Sequence, residues 1–342
     1  MAAALALAER GRGRTAPNPN VGCVIVRDGR VIGRGWTQPG GRPHAEAMAL
    51  AKTGAAARGA TVYTTLEPCV HVSSRGPACA DLLITAGVTR VVVALVDPDV
   101  RTDGSGIARL QAAGIDVATD MLAGAARRSM GGFLTRQKLG RPFVTLKLAL
   151  SADGAVAMAS GTSKWITGPE ARAHAHLERA RHEAILVGRG TMEADVPTLD
   201  VRLPGLQDRA PQRIVLSTSR HPGESGGIPA MEAERAPLAD PSFRWGDGGA
   251  AWGSIARPAD IATLAGVDHL LVEGGAQTAA SFLHDDLVDR MLFYRASILI
   301  GGGRTLPDIG LTDLAAAHGR WSLHDTRRFG SDRLDIYERT RS

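Results

Sequence analysis

Pro43-His44-Ala45-Glu46, Glu67-Pro68-Cys69 and Cys79 are the residues around which the chain is organised, and their reading decides the fold. Pro43 stands at the entrance to a helical pattern over residues 44–53, where proline suits a first turn. Thr61-Val62-Tyr63-Thr64-Thr65-Leu66 reads as a strand that delivers Glu67-Pro68-Cys69 at its end. Pro77 precedes Cys79 at the start of a helix over residues 79–86. Strand and helix alternate through this half of the chain, which makes a layered α/β domain with parallel pairings. His44 offers an imidazole, while Cys69 and Cys79 offer thiolates. Three protein ligands leave the fourth position of a zinc ion open, as catalytic zinc requires. Residues two apart on a continuing helix diverge, but at a helix start His44 and Glu46 can aim at one point. Glu46 is then a free carboxylate able to move protons. Taken alone, His-Ala-Glu is a weak motif, and a surface His and Glu in a first turn is the bland alternative.

Upstream, Met1–Ala8 reads as an amphipathic first helix that runs straight into Glu9 and Arg10, with none of the basic start of a signal peptide. Val21 to Val26 is a buried strand, and Asp28-Gly29 is a hairpin turn into Val31-Ile32-Gly33. Cys23 lies in that strand, and a buried structural thiol is favoured there over a third metal thiolate. Downstream, Val88 to Val96 reads as a strand, Ile107 to Ala113 as a helix and Ile115 to Val117 as a short strand. Residues 131–141, rich in Gly and basic groups, mark a domain boundary, giving domains 1–140 and 141–342.

At 342 residues, two cores are expected rather than one. The net charge of +5 is modest and the Arg residues are spread along the chain, so nucleic-acid binding is not indicated. A mild positive excess suits small phosphorylated molecules equally well. Three cysteines make no disulfide framework and fit a reducing compartment, so a cytoplasmic location is expected. No apolar stretch approaches a membrane span.

In the second half, Phe143 to Leu150 is a strand with Lys147 at its middle, an ammonium that needs either a partner or a wet face. A helix after Gly168-Pro169 carries His174 and His176. Two apart on a helix, these share no face, which favours a solvated surface over a metal. Ala184 to Gly188, Arg213 to Ser217, His269 to Val272 and Met291 to Ile300 read as strands, and Trp321 to Arg339 as a hairpin turning at Gly330-Ser331-Asp332. Residues 219–258 read as a connection with little regular structure. Glu273-Gly274-Gly275 at a strand end before a helix makes an anion cradle.

Zinc deaminases carry H-x-E followed by P-C-x-x-C, yet nine residues separate Cys69 from Cys79. Asn18-Pro19-Asn20-Val21-Gly22-Cys23, Pro43-His44-Ala45-Glu46, Thr65-Leu66-Glu67-Pro68-Cys69 and Asp97-Pro98-Asp99 resemble the deaminase half of the bifunctional riboflavin-biosynthesis family RibD, which has a wide gap of this kind. The second half resembles that family's reductase in Leu146-Lys147-Leu148, Ser151-x-Asp153-Gly154, Ser163-x-Trp165-Ile166-Thr167, Ala194-Asp195-x-Pro197 and Val272-Glu273-Gly274-Gly275. The resemblance implies a cytidine-deaminase-like three-layer α/β/α domain followed by a dihydrofolate-reductase-like α/β domain. It implies zinc on His44, Cys69 and Cys79, with Glu46 catalytic. For NADPH it implies Ala149, Trp165, Thr191, Asp195, Thr218 and the run Gly275, Ala276, Gln277, Thr278, Ala279, Ala280, Ser281. For the substrate, a phosphorylated pyrimidine, it implies Ser163, Arg179, Leu199, Arg202 and Glu273. A homo-oligomer is expected, with neither nucleic acid nor membrane as partner. The chain departs from the family pattern in a Cys69–Cys79 loop one residue longer, in Thr102-Asp103-Gly104-Ser105 and at Val196. His71 is the other candidate ligand, although in the family pattern a His there faces the substrate. The competing readings are a tRNA or nucleoside deaminase with an unrelated appended domain, and a structural-zinc or nucleotide-binding module without catalysis.

Overall fold

The computed structural model describes residues 1–71, 76–217 and 252–341, which divide between two compact units, Met1–Gly140 and Arg141–Ser342. The first contains α1 (Ala2–Ala8), β1 (Gly22–Arg27), β2 (Arg30–Trp36), α2 (Ala45–Leu50), β3 (Thr61–Thr64) and α3 (Cys79–Ala86). It continues with β4 (Arg90–Val93), α4 (Ser105–Ala112), β5 (Asp116–Ala118), α5 (Ala123–Ser129) and α6 (Gly131–Leu139). The sheet order is β2-β1-β3-β4-β5, antiparallel where β1 meets β2 and β3, and parallel from β3 to β5. Asp28 and Gly29 both have positive φ, the conformation a two-residue hairpin turn demands.

The register assigns the layers. Gly22 lies opposite Trp36 and Gly35 opposite Cys23, so Gly22 and Gly35 face opposite sides of the sheet. A Cβ on Gly22 would come within 1.9 Å of the Ala4 carbonyl oxygen, and one on Gly35 within 2.1 Å of the Ala45 carbonyl oxygen. Thus α1 is pressed onto one face and α2 onto the other, giving three layers. With both faces covered, β1 is buried over Gly22–Ile25. Cys23 faces the α2 side.

The second unit contains β6 (Phe143–Leu150), α7 (Pro169–Arg179), β7 (Ala184–Gly188), α8 (Arg189–Asp195), β8 (Gln212–Leu216) and β9 (Gly253–Ile255). After these come β10 (His269–Val272), α9 (Ala276–His284), β11 (Arg290–Arg295), β12 (Trp321–Phe329) and β13 (Asp332–Arg339). Among the described residues the sheet order is β12-β13-β11-β6-β10-β7-β8-β9, parallel from β11 to β9, with β13 and β12 antiparallel at the other edge. Val144, Leu146, Leu148 and Leu150 pack with Phe282 and Leu283 of α9 on one face. Each fully buried side chain of this kind stabilises by roughly 1.5–3 kcal/mol. The register places Thr145, Lys147 and Ala149 on the other face, opposite Arg290, Leu292 and Tyr294. There Ala171 and Ala175 of α7 cover Leu292 and Tyr294.

Several sequence expectations change. The strand expected over Val88 to Val96 is only Arg90–Val93, because Ala94 and Leu95, although buried, leave the ladder to serve Thr64 and Glu67. The strand expected from Met291 to Ile300 ends at Arg295, and the Asp153 carboxylate takes the Ile300 and Gly301 N–H groups. The Gly- and basic-rich passage is largely the helix α6. Within the stretch read as irregular, Gly253–Ile255 pairs with β8, since it can close the sheet edge as a parallel strand. No helix among the described residues is long and apolar enough to cross a membrane.

Candidate functional site

His44 is the residue at which the chain enters α2, and its backbone is still extended, while Glu46 sits in the first turn. Cys69 follows the end of β3, and Cys79 opens α3. The Cys79 N–H, freed of any helical partner at that position, donates to the Cys69 Sγ at 3.4 Å. His44 Nδ1 lies 3.5 Å from the Cys69 Sγ and 3.3 Å from the Cys79 Sγ. All three ligand atoms fall within 4.8 Å of one another. Zn–S and Zn–N bonds in a tetrahedron place sulfur and nitrogen about 3.6 Å apart, so this donor set fits zinc. Among the described residues His71 is outside the group and instead lines the adjoining cavity, with its Nδ1 buried and without a hydrogen-bond partner.

That cavity, about 250 Å³, is also lined by His44, Glu46, Cys69, Asp97 and Asp99. Glu46 is 3% exposed and accepts a hydrogen bond from the Thr64 hydroxyl at 3.1 Å. Burial raises its pKa, against the lowering effect of His44. Thr64 lies opposite Cys23 in the register, which sets Cys23 on the same face of the sheet as Thr64. Burial and the Glu46 charge push the Cys23 thiol well up, leaving an inert structural thiol. The Cys69 sulfur is held down at about 3, chiefly by a hydrogen bond from the Cys79 thiol, and that thiol is pushed up by the same bond. Burial raises Asp97 to about 6. Asn18 Nδ2 lies 3.2 Å from His44 Nε2 and donates to the Gly41 carbonyl at 2.8 Å, fixing the imidazole from behind.

In the second unit the face under α7 carries a half-buried ionic cluster. Arg179, at the end of α7, clasps Glu273 with two parallel bonds, Nε to Oε1 at 2.8 Å and Nη2 to Oε2 at 2.9 Å. Lys147 reaches the same carboxylate at 3.8 Å and lies over the Tyr294 ring, so the mid-strand ammonium has its partner. Burial alone would raise Glu273, but Lys147 and Arg179 overcome it and hold the carboxyl at about 2. Beyond Glu273, Gly275 and Gln277 are exposed at the start of α9, and the Gly275 N–H donates to the Thr191 hydroxyl. This opening lies at the carboxyl ends of the neighbouring strands β10 and β7, where open α/β sheets bind ligands.

Residues 1–95 match the family model described as the cytidine and deoxycytidylate deaminase zinc-binding region. Residues 142–226 and 260–334 match the model of the RibD C-terminal domain. Riboflavin biosynthesis protein RibD of Escherichia coli K12 is 40% identical, over 97% of this chain and 96% of its own length. The chain belongs to the RibD family. The Aquifex aeolicus RibD is 36% identical over 92% of this chain and 90% of its own. Among solved structures, Acinetobacter baumannii RibD gives a TM-score of 0.82 at 35% identity, covering 99% of this chain and 98% of that one. A Thermotoga maritima structure described as a diaminohydroxyphosphoribosylaminopyrimidine deaminase/5-amino-6-(5-phosphoribosylamino)uracil reductase gives 0.83 at 30%, covering 99% and 97%. As a RibD chain it is an enzyme of riboflavin biosynthesis with deaminase and reductase activities, and its two-unit α/β fold is that of the RibD structures.

The RibD pattern placed further residues at the reductase site, and the structure distributes them unevenly. Ala149 lies half-buried on the Lys147 face, Ser163 and Trp165 are exposed, and Arg172 stacks on the Trp165 ring. Asp195 ends α8 and pairs with Lys164 at 2.9 Å. Ala279 and Ala280 turn into the core, Thr278 is buried too, and Ser281 bonds back to the Thr278 carbonyl. The exposed part of that run is thus its first turn. The Leu199 side chain is also buried, against Ile185, Val187 and Leu271. Arg202 is exposed and holds Asp200. Thr218 lies outside the described residues. His174 and His176 correct the solvated-surface reading: His174 sits 2.7 Å from the Tyr294 hydroxyl, and His176 contacts the Asp200 carbonyl at 3.0 Å. The tertiary fold covers both sides of α7 because the chain crosses back over it. Asn18 and Glu67, quoted for the resemblance but given no role by it, prove to be bonded at the first site. Their signal in sequence was only their presence within the motifs.

Proposed function

We propose that the chain acts on 2,5-diamino-6-(5-phosphoribosylamino)pyrimidin-4(3H)-one in its first unit, residues 1–140, releasing ammonia. The second unit, residues 141–342, then reduces the ribosyl group of 5-amino-6-(5-phosphoribosylamino)uracil to ribityl with NADPH. The observation that carries this reading is the meeting of His44 Nδ1 with both cysteine sulfurs beside the buried Glu46 carboxylate. The match to the zinc-binding deaminase region supports it.

His44, Cys69 and Cys79 hold the metal. When bound, zinc supplies Lewis-acid activation of water at neutral pH. Glu46 accepts a proton as the water oxygen bonds to the ring carbon, then passes protons on by general acid/base transfer. One water proton ends on the ring nitrogen and one on the departing amino group, so carbonyl and ammonia balance the water consumed. The Thr64 hydroxyl holds Glu46 at Oε1 during these transfers. In the second unit NADPH supplies the hydride when bound. The first turn of α9 and the Thr191 hydroxyl border its place, and the exposed Trp165 and half-buried Asp195 belong to the same unit. Lys147, Glu273 and Arg179 form a rigid floor. Arg179 is engaged by Glu273, so Arg202, in an exposed and therefore weak pair with Asp200, is the guanidinium that turns most readily to the substrate phosphate.

Glu46→Ala is expected to keep zinc and NADPH-dependent reduction of the deaminated substrate, while ammonia release falls by about 10²-fold or more. Metal chelation is expected to remove the zinc and abolish ammonia release while leaving reduction of the deaminated substrate intact. Loss of both activities, or of neither, sinks the assignment.

A further inference from the structure

Glu67 is 3% exposed, and among the described residues its carboxylate is bonded to backbone alone. Oε2 accepts the N–H groups of Asp97 at 3.1 Å and Gly104 at 3.0 Å. Oε1 accepts those of Gly106 at 2.7 Å and Ile107 at 3.0 Å. Four donors fill the roughly four acceptor positions of an ionised carboxylate. The Glu67 N–H itself donates to the Leu95 carbonyl at 2.9 Å. The start of α4 is brought so near that a Cβ on Gly106 would stand 2.1 Å from the Pro68 carbonyl oxygen. One side chain therefore ties the exit of β4 and the entrance of α4 to the loop that ends in Cys69.

Between those two anchor points runs the segment 98–103. It carries Asp99 and Arg101, which line the cavity together with Asp97, His44 and Glu46. We propose that Glu67 is a positioning residue of the deaminase cavity, setting the distance between this substrate-facing wall and the metal ligands. The proposal rests on the reading of that cavity as the deaminase site. Glu67 borders the same cavity, but backbone N–H groups take up its carboxylate oxygens, so it acts through the wall and not on the reacting atoms. Its part is to keep the wall rigid, so that binding the nucleotide does not have to order it.

Glu67→Gln tests this with little change of volume. One oxygen can still accept two N–H groups, but the new NH2 faces the other two donors. That end of the wall must move away. In the full chain loaded with zinc, KM for the pyrimidine nucleotide is expected to rise tenfold or more, with kcat within about threefold and zinc content unchanged. A purely structural role would lower the amount of active protein and leave KM alone. An unaltered KM overturns the proposal, as does a variant that loses zinc or fails to fold. Amide hydrogen exchange on the wild type is an independent check: Gly104, Gly106 and Ile107 should exchange as slowly as the amides of β4, and fast exchange overturns the proposal too. If the wild type releases no ammonia at all, the deaminase reading has failed, not the wall.

Discussion

The Glu273 carboxylate, closed in by Lys147 and Arg179, makes the stability of the second unit depend on pH in a defined direction. Its pKa is held at about 2 against an ordinary value of 4.5. At about 1.4 kcal/mol for each pKa unit, the gap corresponds to about 3 kcal/mol favouring the folded, ionised form. The folded pKa is depressed, so this stabilisation is fully present above 4.5 and is lost as pH falls towards about 2. Glu273→Gln mimics the protonated acid at every pH and leaves two half-buried cations facing one another. At pH 7 it should cost about 3–5 kcal/mol, at the scale of breaking a buried pair. At pH 3 the advantage of the wild type should shrink to roughly 1.5 kcal/mol. Urea unfolding followed by tryptophan fluorescence measures this, since among the described residues Trp165, Trp252 and Trp321 belong to the second unit and Trp36 to the first. Ammonia release should be unchanged by the substitution. Equal unfolding midpoints for the two proteins at pH 7, or a difference that widens on acidification, would refute the reasoning.

Asn18→Ala removes the group set against His44 Nε2 and is expected to weaken metal affinity about 10–100-fold, read by competition with a chelator. An unchanged affinity would mean that the imidazole needs no support from behind. Gly35→Ala drives a methyl to 2.1 Å from the Ala45 carbonyl oxygen and should lower the stability of the first unit by about 3 kcal/mol or more, with α2 displaced. By contrast Gly124→Ala, on α5 with nothing nearer than Arg128 Nη1 at 3.7 Å, should stabilise by up to about 1 kcal/mol. Thermal unfolding of the pair compares them directly, and equal midpoints would remove the argument that α2 sits on a glycine path.

Features settled by local chemistry were legible in the chain. Metal donors come from a short list of residue types, so His44, Cys69 and Cys79 stood out despite their separation, and the structure gathers them into one group. Strands with clear turns at both ends were read to the residue, as in Phe143–Leu150 and Ala184–Gly188. Apolar runs without such punctuation were read too long, because burial continues where pairing stops. Leu95 is buried beyond the end of β4 in this way.

The sequence by itself determined which chemistry is available: an imidazole, two thiols and a carboxylate at helix starts and a strand end, followed by a second α/β unit with a Gly-built turn. Tertiary structure alone decided what each carboxylate does. Glu46, Glu67 and Glu273 are the same residue type, each in a motif that could serve acid/base work, ligation or binding. Glu46 stands over a threonine hydroxyl, Glu67 closes on four backbone N–H groups 30 to 40 positions away, and Glu273 meets Arg179 from 94 positions away. A carboxylate takes its role from the donors around it, and chain folding, not adjacency in sequence, supplies those donors.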